Sequence, residues 1–255
     1  MKLSGEIAII TGGARGIGKS VAEAFVREGA KVIIASEIED ELIAASSELE
    51  VDHIRTDVTE FDDVRNLIDF TVSKFGRIDI LINAAGRQIP VGSVIDVDAE
   101  AWKKTVDINL TGTMLCCKFA LKSMIANRKG KIVNFGGGGA ISPRPNFSAY
   151  ASSKAAVLRF TETLAEEVRG HNIDVNAIHP GSVHTKMNED VVDAGLKKAG
   201  DAEYKNALDV QSGNTVSLEQ VQEFLIFLSS KESDGLTGKT LYNVWDDWRS
   251  LTNDV

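Results

Sequence analysis

Short apolar runs alternate with amphipathic segments along most of the chain, and this rhythm limits the fold more than any other feature. Ile7 to Ile10, Val32 to Ala35, Ile78 to Ile82, Ile132 to Phe135 and Val175 to Ile178 read as buried strands. Val51 to Arg55 is a weaker run and Thr240 to Val244 a late one. Between the first two strands, Ile17, Val21, Ala24 and Phe25 recur at helical spacing. Strand and helix in alternation predict an α/β fold, a doubly wound parallel sheet of about seven strands with helices on both faces. No repeat, low-complexity tract or Pro/Gly/Ser-rich linker divides the sequence, so a single domain over 1–255 is expected. The rhythm breaks at Thr185 to Thr215, which is polar and glycine-punctuated. It follows a strand, so it is expected to be a loop covering a ligand.

The first strand runs into Thr11-Gly12-Gly13-Ala14-Arg15-Gly16-Ile17-Gly18, at the start of the first helical segment. Glycines let the backbone turn tightly and approach a pyrophosphate, while the helix N-terminus supplies free N–H groups and a positive dipole. Much later, Tyr150 precedes Lys154 by four residues, so both side chains project from one helical face. An ammonium beside a phenol favours the phenolate and lowers the tyrosine's pKa. Tyr150 is therefore a candidate general acid/base and Lys154 the group that tunes it. Alone, such a pair usually just packs, the lysine snorkelling to solvent. The glycine turn upstream gives it weight.

Composition excludes several other classes. A formal net charge of −9 and the lack of a long basic cluster argue against a nucleic-acid surface. No apolar run reaches membrane-spanning length. The start, Met1-Lys2-Leu3-Ser4-Gly5-Glu6, lacks a secretory h-region, so a cytoplasmic location is expected. Cys116 and Cys117 lie side by side on an apolar helical pattern, which predicts buried thiols. His53, His171, His179 and His184 show no metal-ligand spacing, and no metal is expected.

The glycine spacing Gly12-x-x-x-Gly16-x-Gly18 resembles the classical short-chain dehydrogenase/reductase family, and further matches cover nearly the whole chain. They are Asn83-Ala84-Ala85-Gly86, Asn109 in Asp107-Ile108-Asn109-Leu110-Thr111-Gly112, the Tyr150/Lys154 pair, and Pro180-Gly181 with Thr185. Each has a plain structural reading, as a strand-end cap, a polar helix residue or a turn. Their joint order makes coincidence improbable. The resemblance implies a single-domain Rossmann fold and hydride transfer between a nicotinamide cofactor and an alcohol/carbonyl substrate. It gives Tyr150 the proton transfer, Lys154 also the nicotinamide ribose, and Asn109 a relay water. It places Asp57 and Val58 beside the adenine, Asn83 to Gly86 along the cleft, and Val183 and Thr185 at the carboxamide. It implies a homotetramer or homodimer, tetramers commonly forming through the helices corresponding to Asn109–Asn127 and Tyr150–Arg169. A small molecule is the expected substrate.

Cofactor choice turns on the end of the second strand, Ile34-Ala35-Ser36-Glu37. An acid there accepts from the ribose 2′-OH and repels a 2′-phosphate. The family's usual acid aligns with Ser36, a departure, but Glu37 follows it. Arg15 in the glycine turn pulls toward NADP. With no second cation at hand, NAD is the expected cofactor and NADP the alternative.

The chief departure concerns the family's catalytic serine. Its place, thirteen residues before the tyrosine, holds Gly137, in Asn134-Phe135-Gly136-Gly137-Gly138-Gly139-Ala140. Losing one preorganised donor to an oxyanion costs about 2.7–4 kcal/mol. Three replacements are open: the glycine-run N–H groups, Ser142 from the same loop, and water or a substrate group. The gap also motivates a second class, a catalytically silent dinucleotide-binding or regulatory protein. Arg144, between Pro143 and Pro145, suits an anion but reads first as a solvated loop residue. The tail, with Trp245-Asp246-Asp247-Trp248, lacks the family's usual turn, and its tryptophans read as core or interface packing. Together with the glycine run it hints at a sugar or polyol derivative as substrate.

Overall fold

The computed structural model describes residues 1–251. It contains a seven-stranded sheet in the order β3-β2-β1-β4-β5-β6-β7. The strands are β1 (Ile7–Thr11), β2 (Lys31–Ser36), β3 (Asp52–Arg55), β4 (Ile80–Asn83), β5 (Gly130–Phe135), β6 (Ile173–His179) and β7 (Thr240–Tyr242). Every neighbouring pair is parallel. The order reverses between β1 and β4, and at such a switch point the strand carboxyl ends open a crevice for a ligand.

The helices are α1 (Gly16–Arg27), α2 (Glu39–Leu49), α3 (Phe61–Phe75), α4 (Ala99–Val106), α5 (Thr113–Asn127), α6 (Ser148–Val168), α7 (Lys186–Ala194), α8 (Leu196–Ala199), α9 (Asp201–Gln211) and α10 (Leu218–Ser229). Side chains alternate across a strand, so the apolar runs feed two cores. Ala8, Ile10, Ile34 and Val133 pack against Phe25 of α1, Leu42 of α2 and Phe224 of α10. Ile7, Ile9, Ile33 and Ile132 pack against Leu67 of α3, Cys117 of α5 and Leu164 of α6 on the other face. Burial on both sides explains why the strand runs are continuously apolar rather than alternating.

Three sequence expectations need adjustment. Ile78 is fully buried but precedes the ladder of β4, which starts at Ile80. β7 ends at Tyr242 rather than Val244. The segment expected to be a loop from 185 to 215 is largely helical, as α7, α8 and α9. Gly195 and Gly200, at φ +78° and +84°, break it into pieces. Its apolar stripe is sparse, Val191, Ala199 and Ala207, which hid the helices. These residues form a small third core with Phe147 and Tyr150, so the segment caps the cleft instead of hanging over it.

The thiols of Cys116 and Cys117 are free and buried, and burial pushes both above their ordinary pKa. Trp248 packs on Phe224 and Phe227, with ring centroids 5.0 and 5.4 Å away. Trp245 is instead 72% exposed, stacked on Tyr242. Among the described residues, no helix is long and apolar enough to cross a membrane, and no cluster of metal-ligating side chains occurs.

Candidate active site

A cleft of about 950 Å³ lies at the carboxyl ends of the strands. The glycine turn forms one end. A Cβ on Gly12 would stand 2.8 Å from the Ala85 amide nitrogen, and one on Gly18 would stand 2.2 Å from the Gly12 carbonyl oxygen. Glycine at these two places lets the turn press on the end of β4 and lets α1 press on the turn. Among the described residues the Arg15 side chain at the N-cap of α1 makes no cap hydrogen bond, which leaves the first N–H groups open to an anion. Across from Gly16, the methyl of Thr185 would lie 3.5 Å from an added Cβ. Thr185 is the N-cap of α7 and makes no cap hydrogen bond, which leaves its hydroxyl available. This shape and these donors fit a dinucleotide pyrophosphate.

The cleft wall takes in the turn residues Gly12, Arg15, Gly16, Ile17 and Gly18. Ser36, Glu37, Asp57 and Val58 line its far end, and Ala84, Ala85 and Gly86 its middle. Pro180, Gly181, Val183 and Thr185 face them, with Gly137, Ser142, Tyr150 and Lys154 at the reactive end. Two expected residues stand behind this wall. Asn83 is buried, its amide donating to Asn134 Oδ1 at 2.8 Å, while its own Oδ1 finds no partner among the described residues. Asn109 is fully buried. Its Oδ1 accepts from the Arg87 N–H, and its Nδ2 donates to the Arg87 carbonyl and to Ser153 Oγ, each at 2.9 Å.

Local structure explains the position of Asn109. α4 and α5 run on through a π-helical segment, Asp107–Gly112, that contains it. A π turn inserts an extra residue and re-aims side chains. Ser153 in turn donates to the Tyr150 carbonyl at 2.8 Å. The chain Arg87–Asn109–Ser153–Tyr150 thus ties β4's extension to the tyrosine helix. Ser153 was not marked by any sequence pattern.

Lys154 Nζ donates to the Phe135 carbonyl at 2.8 Å. A Cβ on Gly86 would stand 3.5 Å from that nitrogen and 3.2 Å from Asn109 Oδ1, so the two groups flank one glycine. Burial lowers the Lys154 pKa to about 8. The ammonium keeps its charge at neutral pH and loses it as pH rises through that value. The expectation that Lys154 would pull Tyr150 down is not met here. Burial raises the Tyr150 pKa, and the charge opposing the rise belongs to Arg144. Lys154 Nζ lies 5.8 Å from the Tyr150 ring centre, bound to a carbonyl. Burial thus favours the protonated phenol over the phenolate.

A Cβ on Gly137 would fall 2.1 Å from the Tyr150 hydroxyl oxygen and 2.9 Å from its Cζ. The space of a serine side chain is already filled by the tyrosine. Gly136 N–H donates to the Ile178 carbonyl and Ala140 N–H to that of Gly137. Among the described residues, the N–H groups of Gly137, Gly138 and Gly139 have no backbone acceptor. Ser142 lies on the cleft wall but is exposed. Arg144 is not solvated as its loop position suggested. Its side chain is 14% exposed, paired with Glu203 of α9 at 2.7 Å.

At the adenosine end, Arg15 pairs with Glu41 of α2 at 3.1 Å. Glu41 was not anticipated, because its role depends on how α2 packs beside the glycine turn. Asp57 Oδ1 accepts from both the N–H and hydroxyl of Thr59, at 2.9 and 2.7 Å, shaping the turn into α3.

Comparison with known proteins agrees with this architecture. The family described as short chain dehydrogenase matches residues 6–195. The chain is 34% identical over 246 residues to a 3-oxoacyl-(acyl-carrier-protein) reductase of Thermotoga maritima, covering 94% of this chain and 97% of that protein. It is 32% identical to trans-4-hydroxycyclohexanecarboxylate dehydrogenase of Sinomonas cyclohexanicum, covering 94% and 92%. Among solved structures, a short-chain dehydrogenase/reductase from Mycobacterium ulcerans superposes with a TM-score of 0.84 at 28% identity, covering 95% of this chain and 89% of that one.

Proposed function

The chain belongs to the short-chain dehydrogenase family, and from that premise we propose that it is an NAD-linked oxidoreductase acting on an alcohol/carbonyl pair. The observation that carries this reading is the position of the Tyr150 hydroxyl at the reactive end of the cleft, against Gly137 and with Lys154 Nζ 5.8 Å from its ring centre. A bound nicotinamide would accept or supply the hydride at the substrate carbon. In reduction, Tyr150 Oη gives its proton to the carbonyl oxygen as that oxygen gains charge; in oxidation it takes the proton back. Lys154, held by the Phe135 carbonyl, would present its ammonium to a ribose hydroxyl of the bound cofactor. Asn109 acts as a positioning residue, fixing Arg87 and, through Ser153, the turn of α6 that carries Tyr150.

The oxyanion donor is assigned to the glycine run. Gly137, Gly138 and Gly139 have amides without backbone acceptors among the described residues, and Gly137 lies against the tyrosine hydroxyl. Fixed N–H groups aimed at developing charge serve as well as a serine hydroxyl. Ser142 sits further out on an exposed stretch. A screen of sugars, polyols, hydroxy acids and keto compounds, followed by NADH absorbance, tests the proposal. Turnover of at least one class is expected. Tight cofactor binding with no turnover across all of them would contradict it and favour a silent binding protein.

NAD preference rests on charge at the adenosine end. Glu37 lines the cleft there, and the one cation lining that end among the described residues, Arg15, is already paired with Glu41. A 2′-phosphate would meet Glu37 and would have to compete with Glu41 for Arg15. Calorimetry is expected to show NADH bound more tightly than NADPH. Glu37→Arg should improve NADPH binding about tenfold or more, the size of one charge-assisted contact. Tighter NADPH binding by the wild type would show that Arg15 dominates.

A further inference from the structure

The substrate end of the cleft carries more positive charge than proton and hydride transfer require. Arg87 follows Gly86 directly, and Asn109 pins its backbone at both N–H and carbonyl. Its side chain lines the cleft, and its Nε is buried with no hydrogen-bond partner among the described residues. Among the described residues it makes no ion pair. Burying an unpaired guanidinium N–H is costly unless something arrives to accept from it.

Arg144 lies on the same wall, next to the tyrosine. Its guanidinium stands 4.0 Å over the Phe147 ring and 5.5 Å from the Tyr150 ring centre. An added Cβ on Gly138 would reach its Nη1 at 3.8 Å, so the glycine run leaves that face open. Arg144 donates to the Glu203 carboxylate at 2.7 Å and to the side-chain Oε1 of Gln88 at 3.3 Å. Among the described residues its only partner of opposite charge comes from α9, part of the cap rather than the sheet. Lys186, a cleft cation at the start of α7, is taken up by Asp190 at 2.9 Å.

We propose that Arg87 and Arg144 form an anion-binding subsite for the substrate, with the Glu203 carboxylate occupying Arg144 until a substrate anion replaces it. The proposal rests on the oxidoreductase reading and narrows its substrate to an alcohol or ketone that carries a carboxylate or phosphate. A planar guanidinium fork binds either group through paired N–H donors. Held a few ångströms from Tyr150, the anion fixes which carbonyl or hydroxyl carbon faces the hydride path.

Malonate and inorganic phosphate serve as probes, titrated by calorimetry into the NADH-saturated protein. Binding is expected, weakened tenfold or more in Arg87→Gln and tightened in Glu203→Gln, which frees Arg144. NADH affinity should be unchanged in Arg87→Gln. Tighter malonate points to a hydroxy or oxo acid, and tighter phosphate to a phosphorylated substrate. Failure of both anions to bind, or equal binding by all three proteins, overturns the subsite. So does a loss of NADH affinity in Arg87→Gln that matches the loss for the anion, since Arg87 would then serve the cofactor. Turnover of uncharged alcohols with no response to either anion overturns the subsite alone. Anion binding without turnover of any compound overturns the oxidoreductase reading instead.

Discussion

Gly137→Ser, which restores the residue usual at this point in the family, is expected to lower turnover by about 10²-fold or more. The new Cβ would begin 2.1 Å from the Tyr150 hydroxyl oxygen and 3.1 Å from its Cε1. The ring has little room to retreat. It is 93% buried, packed with Phe147 and Val191 and overlain by Arg144. Either the tyrosine leaves the reacting position or the glycine run shifts its amides, and both remove groups that act in the transition state. Gly137→Ala should lose as much, because the clash needs only a Cβ. If the glycine backbone is the donor, Ser142→Ala should stay within about threefold of wild type. Steady-state rates by NADH absorbance, with cofactor affinity measured alongside, decide the matter. Unchanged or faster turnover in Gly137→Ser would contradict the assignment, and a large loss in Ser142→Ala would make that hydroxyl the donor.

The sheet was legible because a parallel sheet buried on both faces writes its strands as apolar runs. Ile7 to Ile10 and Val175 to Ile178 fall inside β1 and β6. The glycine turn was legible because close approach of backbone to backbone admits no other residue, as Gly12 against Ala85 shows. The cap helices were not, because three short pieces bury few side chains among many charges. The electrostatics of the site were also hidden. Four-residue spacing puts Lys154 and Tyr150 on one helical face, but it cannot show that the Phe135 carbonyl holds the lysine 5.8 Å from the ring centre. Arg144 read as a solvated loop residue because its counter-ion, Glu203, is 59 positions away in the chain. Arg87 followed a recognised motif, yet only the fold reveals that its Nε is buried without a partner.

The central claim is that the Tyr150 hydroxyl carries the proton. Tyr150→Phe removes one oxygen and leaves the ring among Phe147, Val191 and Arg144, so the fold and the cleft should survive. That oxygen has no hydrogen-bond partner among the described residues whose loss would unsettle the site. Removing a positioned general acid typically costs about 10²–10⁴ in rate. The most direct measurement is kcat of this variant on the best substrate from the screen, beside the Kd of NADH for the same preparation. The account predicts a kcat at least about 10²-fold lower with the NADH Kd within about twofold of wild type. A kcat equal to wild type, with NADH bound as before, would contradict it.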